Sequence, residues 1–212
     1  MSVKAVIFDL DGTILDSMPY WCGLAGKYLR GMGIEPDSDI DERLKTFTFK
    51  QSAEYFRRHF GVYMPEGEMI DGMNRLIGDH YKYDIPLKKG AKELFARLSE
   101  KGIKMCVATV AERVHAMTAL SRLGVLNYFS AVLICSELDC DKTEPTVYRA
   151  AAELFGTKKE ETAVFEDSLY ALMTAKNDGF YTVAVRDDAE PDQASMKSEA
   201  DLYITSLSEF YP

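Results

Sequence analysis

The sequence predicts an α/β fold: a mostly parallel sheet with helices on both faces, carrying a small inserted helical domain. Two observations lead there. Short runs of strand formers alternate with amphipathic helical stretches, the pattern of successive β-α-β units. Residues 15–84 break that alternation with an aromatic, mixed-charge segment that has no convincing strand. At 212 residues, 47% hydrophobic and 28% charged, the chain has the apolar material for one sizeable core and a smaller companion.

The first element is Ala5-Val6-Ile7-Phe8, an apolar run that stops at Asp9-Leu10-Asp11-Gly12-Thr13, as a buried parallel strand does on entering a loop. The helical insertion follows, typified by Glu54-Tyr55-Phe56-Arg57-Arg58-His59-Phe60, and the chain rejoins the sheet near Ile85-Pro86-Leu87. The expected domains are therefore 1–14 with 85–212, and 15–84. Ala91, Leu94, Phe95 and Leu98 mark one face of a helix that ends before Gly102; Tyr148, Ala151, Ala152 and Phe155 mark another before Gly156. Further strands are expected at Ile103–Ala108, Ala131–Cys135, Thr162–Phe165 and Tyr181–Val185, with a weaker sixth at Leu202–Ile204.

A net charge of −9 argues against a nucleic-acid or anionic-membrane partner, since both require a basic face. Cys22, Cys106, Cys135 and Cys140 have neither C-x-x-C nor zinc-finger spacing, and are expected to be reduced, buried and inert. No secretion-signal pattern follows Met1-Ser2-Val3-Lys4 and no apolar run has spanning length, so a cytoplasmic protein is expected.

In an open parallel sheet, ligands bind at the carboxyl ends of the strands, so the polar residues that terminate apolar runs are the candidates for chemistry. These are Asp9, Asp11 and Thr13, then Thr109, then Glu166, Asp167 and Ser168, with Lys142 shortly before Pro145. Acidic groups converging at one sheet end repel one another unless a cation joins them, and all-oxygen ligands suit Mg²⁺. The Thr109 hydroxyl and Lys142 ammonium would face an anion on that metal, which fits a phosphoryl group. Asp9 could attack phosphorus, and Asp11 could protonate the leaving oxygen and then take a proton from water. Taken singly, each residue also has a plainer reading: Thr109, for instance, could cap a helix beginning near Ala111.

In this arrangement the chain resembles the haloacid dehalogenase-like superfamily of aspartate-nucleophile phosphohydrolases, in the helical-cap branch that includes β-phosphoglucomutase-like and phosphoglycolate phosphatase-like proteins. Asp9-Leu10-Asp11-Gly12-Thr13 matches the D-x-D-G-T signature, Thr109 the second motif, Lys142 the third and Val164-Phe165-Glu166-Asp167-Ser168 the acidic fourth. The resemblance implies a Rossmann-like core and a closing cap. It implies Mg²⁺ held by Asp9, Asp167, the backbone carbonyl of Asp11 and Glu166, and phosphate bound by Thr109 and Lys142, with Gly12 and Val110 beside them. Two positions depart from the family. Val110 stands where Ser or Asn is usual, and Asp141-Lys142-Thr143 replaces Gly-Lys-Pro, which would loosen the loop and place a carboxylate beside the lysine.

The expected function is hydrolysis of a small phosphorylated metabolite by a monomer or weak homo-oligomer. A sugar phosphomutase is the alternative, although mutases carry a histidine in the cap where this chain has Trp21. Asp11 speaks against dehalogenases and phosphonatases. A catalytically weak phosphate-binding protein is the reading from a different class. Tyr20, Trp21, Phe47, Phe49 and Lys50 are candidate pocket or hinge residues, or simply cap core; His59, His80 and His115 have no partner at ligand spacing.

Overall fold

The computed structural model describes residues 3–44 and 47–212. Its first strand, β1 (Ala5–Phe8), is buried along its whole length, as a central parallel strand covered on both faces must be. It pairs with β2 (Lys104–Thr109) on one side and β4 (Thr162–Glu166) on the other; β3 (Ala131–Ile134), β5 (Tyr181–Val185) and β6 (Leu202–Ile204) extend the sheet outwards. All pairs are parallel, in the order β3-β2-β1-β4-β5-β6, which is Rossmann-like. The order reverses beside β1, so the crevice at the carboxyl ends of β1 and β4 is where a ligand is accommodated.

Four strand ends differ from expectation, the slightest being the start of β2 at Lys104 rather than Ile103. Thr109 and Glu166 lie inside β2 and β4 because their backbones still pair, with Ile134 and Ala184; a polar side chain at a strand end does not stop the ladder. Cys135 leaves β3 and begins a 3₁₀ turn, Cys135–Leu138.

The chain forms two compact units, Met1–Ser17 with Pro86–Pro212, and Met18–Ile85. The second is helical: α1 (Met18–Trp21), α2 (Leu24–Gly31), α3 (Ile40–Leu44), α4 (Phe49–Phe60) and α5 (Glu66–Tyr83). Thr48 and Gln51 make a reciprocal capping box that starts α4, and Gly61 ends it in the left-handed conformation at φ 61°. Helix α5 buries Met69, Met73, Ile77 and Tyr81, one face at four-residue spacing; Met69 and Met73 meet Leu29, Ile40 and Phe56 in this unit's core.

In the sheet unit, α6 (Ala91–Glu100), α7 (Arg113–Arg122), α8 (Thr146–Phe155), α9 (Leu169–Asn177) and α10 (Gln193–Glu199) cover the strands. Alternation along β1 divides the core. Ala5 and Ile7 share a cluster with Val147, Tyr148 and Ala151 of α8. Phe8 meets the rings of Phe95 and Phe165 at 5.3 and 4.7 Å, and Phe129 closes an edge-on contact with Phe95 at 5.0 Å. Where the chain re-enters the sheet unit, Lys88 donates to the carbonyl of Arg186 at 2.8 Å and pairs with buried Asp187 at 2.7 Å. Among the described residues, no helix is long and apolar enough to cross a membrane. Cys106 and Cys135 are buried and Cys140 half-buried, but Cys22 is exposed: the short α1 buries none of its residues, and Cys22 follows it directly.

Candidate active site

Strand register assembles the site. Phe8 stands opposite Val107 on one side and Phe165 on the other, so the next residue, Asp9, emerges level with Glu166, and its amide donates to the carbonyl of Phe165 at 2.9 Å. Asp9, Lys142, Glu166 and Asp167 expose only 6, 2, 1 and 7% of their surface. Charged groups that deep persist only when they are paired.

Lys142 supplies the pairing. Its ammonium donates to Asp9 Oδ1 and, at 2.6 Å, to Glu166 Oε1. Burial pulls the lysine pKa down, but the charges and hydrogen bonds of Asp9 and Glu166 outweigh it and hold the group protonated. The hydroxyl of Tyr148, fully buried on α8, donates to the same Glu166 oxygen at 2.7 Å. Burial, and then the Glu166 charge, raise its pKa, so it is the donor in that contact. Asp141 does not compete for the lysine. It accepts from the Thr143 amide at 2.7 Å and from the Thr143 hydroxyl, which hold its carboxyl below the usual range. The departure from Gly-Lys-Pro therefore closes an Asx turn in place of a proline.

Asp9, Glu166 and Asp167 offer carboxylate oxygens all within 4.8 Å of one another. Fully ionised, as metal ligands are, the three carboxylates against one ammonium leave two negative charges, and hard oxygen donors at this spacing fit a divalent cation. The strain without one is concentrated on Asp167: burial, then repulsion from Asp9 and Glu166, push its pKa well up, opposed by a hydrogen bond from the Thr13 hydroxyl at 3.0 Å. Gly12 makes this approach possible. It has φ +81°, and a β-carbon there would lie 2.1 Å from Asp167 Oδ2. Its amide donates to the buried Ser17 hydroxyl at 3.2 Å.

Asp11 lies in the same loop, half-buried and bridged through its backbone to Leu15; its carboxylate is not one of the three that converge. Thr109 is fully buried at the end of β2, where its oxygen accepts from the Ala111 amide at 3.0 Å and its O–H remains a donor. It is not a helix cap, because α7 starts only at Arg113, with Glu112 at its N-cap. Val110 is 56% exposed.

In the helical unit, Trp21, Phe47 and Phe49 line a cavity of about 170 Å³, with the Trp21 and Phe49 rings 5.9 Å apart. The Trp21 indole also donates to Tyr81 at 3.2 Å. Tyr20 lies against the ring of His80, which pairs with Asp84 at 2.7 Å, and Lys50 is exposed and does not line the cavity. His59 stacks on Tyr55 at 3.8 Å, and burial lowers the pKa of His115.

Tyr148 was hidden in the sequence because it falls on the apolar face of α8 and reads as core. A tyrosine on such a face still needs a partner for its hydroxyl, and that was the available signal. Ser17 and the tie from Thr13 to Asp167, 154 residues apart, carry no local pattern.

Residues 6–185 match the model of the haloacid dehalogenase-like hydrolase family. Validoxylamine A 7'-phosphate phosphatase of Streptomyces hygroscopicus subsp. limoneus is 25% identical over 97% of this chain and 95% of its own. The β-phosphoglucomutase of Bacillus subtilis is 29% identical over 86% and 83%. A solved HAD hydrolase of family IA, variant 3, from Entamoeba histolytica superposes with a TM-score of 0.83 at 20% identity, over 100% of this chain and 96% of that one.

Proposed function

The chain belongs to the haloacid dehalogenase-like hydrolase family, and on that premise we propose that it is a Mg²⁺-dependent phosphatase of small phosphomonoesters that works through an aspartyl-phosphate at Asp9. The observation that carries this reading is the buried grouping of Asp9, Lys142, Glu166 and Asp167 at the sheet's switch point. The relatives' names support a small phosphorylated substrate: one is named a 7'-phosphate phosphatase, while the other, named a phosphoglucomutase, keeps the sugar phosphomutase as the alternative.

A carboxylate oxygen of Asp9 attacks phosphorus while the bond from phosphorus to the ester oxygen breaks, and Asp11 delivers a proton to that leaving oxygen. In the second half, water attacks phosphorus, Asp11 takes the water proton, and the bond to Asp9 breaks to free inorganic phosphate and restore the carboxylate. Lys142 offsets negative charge on Asp9 and the phosphoryl oxygens, and the Thr109 hydroxyl donates to one of them. Gly12 leaves room for Asp167, and Val110 borders the phosphate with an apolar side chain. Asp9, Asp167 and the carbonyl of Asp11 would hold Mg²⁺, which supplies charge neutralisation to the phosphoryl group. Glu166, engaged by Lys142 and Tyr148 through Oε1, serves the lysine first and the metal second.

The test is phosphate release from a broad panel of phosphorylated metabolites, with Mg²⁺ or with EDTA, by the wild type and by Asp9→Asn. Metal-dependent release that disappears in the variant is expected. Release that persists in Asp9→Asn removes the nucleophile, silence on every compound overturns the hydrolase reading, and hexose-phosphate isomerisation without net release makes the protein a mutase.

A further inference from the structure

The fourth-motif glutamate has two donors on one oxygen. Lys142 reaches Glu166 Oε1 at 2.6 Å and Tyr148 reaches the same atom at 2.7 Å. All three groups are buried, at 2% exposure or less, so no water shell averages their geometry. The tyrosine is held from behind. Its ring shares the α8 core cluster with Ile7, Cys106 and Val164, and lies edge-on to Phe180 at 6.1 Å. Glu166 itself is fixed by the backbone of β4, which pairs with Ala184 of β5. The hydroxyl therefore ties α8 to β4 at the same oxygen that accepts from the lysine. The apolar cluster alone would be served by phenylalanine, so the hydroxyl is the part of Tyr148 that calls for a reason.

We propose that Tyr148 is a positioning residue of the phosphoryl-transfer site: by pinning Glu166 Oε1 it keeps the carboxylate where it directs the Lys142 ammonium onto Asp9 and the phosphoryl group. This rests on the phosphatase reading above and adds a residue to it. Without the hydroxyl, Glu166 loses one of two fixed contacts, the Lys142 ammonium gains freedom, and a cation that must be held to within about 0.5 Å of its productive position is less well aimed. Tyr148 touches neither substrate nor metal in this scheme; it acts through Glu166.

The experiment compares wild type, Tyr148→Phe, Lys142→Ala and the double variant, with folding checked by circular dichroism well below the melting temperature. Phenylalanine keeps the ring and removes one oxygen. Tyr148→Phe should lower kcat/KM about tenfold and weaken inorganic phosphate binding, measured by calorimetry with Mg²⁺, in proportion. In the Lys142→Ala background the same change should cost less than twofold, because there is no ammonium left to aim. If Lys142→Ala has no measurable turnover, phosphate affinity of wild type against Tyr148→Phe decides alone. Wild-type kcat/KM and phosphate affinity in Tyr148→Phe, or a penalty undiminished without Lys142, overturns the role of Tyr148. A wild type that neither releases nor binds phosphate instead overturns the phosphatase reading.

Discussion

Gly12 and Asp167 lie so close that a β-carbon on the glycine would sit 2.1 Å from Oδ2 of the aspartate, and the glycine's φ of +81° disfavours any side chain in addition. The glycine of the first motif and the second acid of the fourth are thus one steric unit. Gly12→Ala should displace the Asp167 carboxylate by an ångström or more, and turnover should fall about 100-fold, the usual scale for such a misplacement. Steady-state kinetics on purified variant decides it: an alanine enzyme within threefold of wild type would show that the Asp167 position is not needed.

Thr13 is the other hold on that carboxylate, donating to Oδ1 at 3.0 Å from a fully buried position. Thr13→Val keeps the shape and removes the donor. A group that orients a metal-binding carboxylate typically affects metal affinity about 10- to 100-fold. The Mg²⁺ concentration for half-maximal activity should rise about tenfold, with kcat at saturating Mg²⁺ much less affected. An unchanged Mg²⁺ titration would remove Thr13 from this role.

The Asp141 and Thr143 pair makes a different prediction, about how a departure from the family pattern is tolerated. Asp141 accepts from the Thr143 amide at 2.7 Å, so the loop before Lys142 is held by a side chain where the family uses a proline ring. Asp141→Gly alone should loosen the loop and lower kcat/KM by roughly three- to tenfold. Asp141→Gly with Thr143→Pro restores Gly-Lys-Pro and should recover most of the loss, since the proline needs no acceptor for an amide it lacks. A double variant no better than the single one would show that the turn does not position Lys142.

How far the sequence could be read follows the range of each interaction. The Asp9 loop was legible because an apolar strand ends at a run of acids and a glycine within a few residues, and the parallel sheet was legible from the spacing of similar runs. The ends of β2 and β4 were not, because backbone pairing continues beneath polar side chains at Thr109 and Glu166. Thr109 could be read either as a phosphate donor or as a helix cap, and only the start of α7 at Arg113 removes the cap. The buried network was the least visible part. Lys142 and Asp9 are 133 residues apart, and the hydroxyl of Tyr148 meets Glu166 only after α8 folds onto the sheet. Asp141, which looked like a competitor for Lys142, is occupied by a partner two residues away.

The acidic group also couples metal, pH and stability. In the folded protein without metal, burial and then the neighbouring charges of Asp9 and Glu166 raise the Asp167 pKa well above its ordinary 3.8. The folded state therefore keeps a proton that the unfolded chain gives up once the pH passes that ordinary value. Where the native state binds more protons, stability falls as pH rises, so in the metal-free protein the contribution of Asp167 falls from about pH 4 upward until it ionises in the fold as well. Mg²⁺ at about 100 times its dissociation constant should add about 2.7 kcal/mol, a Tm increase of roughly 5–10 °C for a chain of this size. Asp167→Asn removes the carboxyl whose ionisation the fold disfavours; its Tm in EDTA should exceed that of wild type at pH 7.5, and Mg²⁺ should shift it little. Thermal melts of both proteins, with Mg²⁺ and with EDTA at pH 5.5 and 7.5, make the comparison. A wild-type Tm that is independent of Mg²⁺ at both pH values would mean that Asp9 and Asp167 do not share a cation.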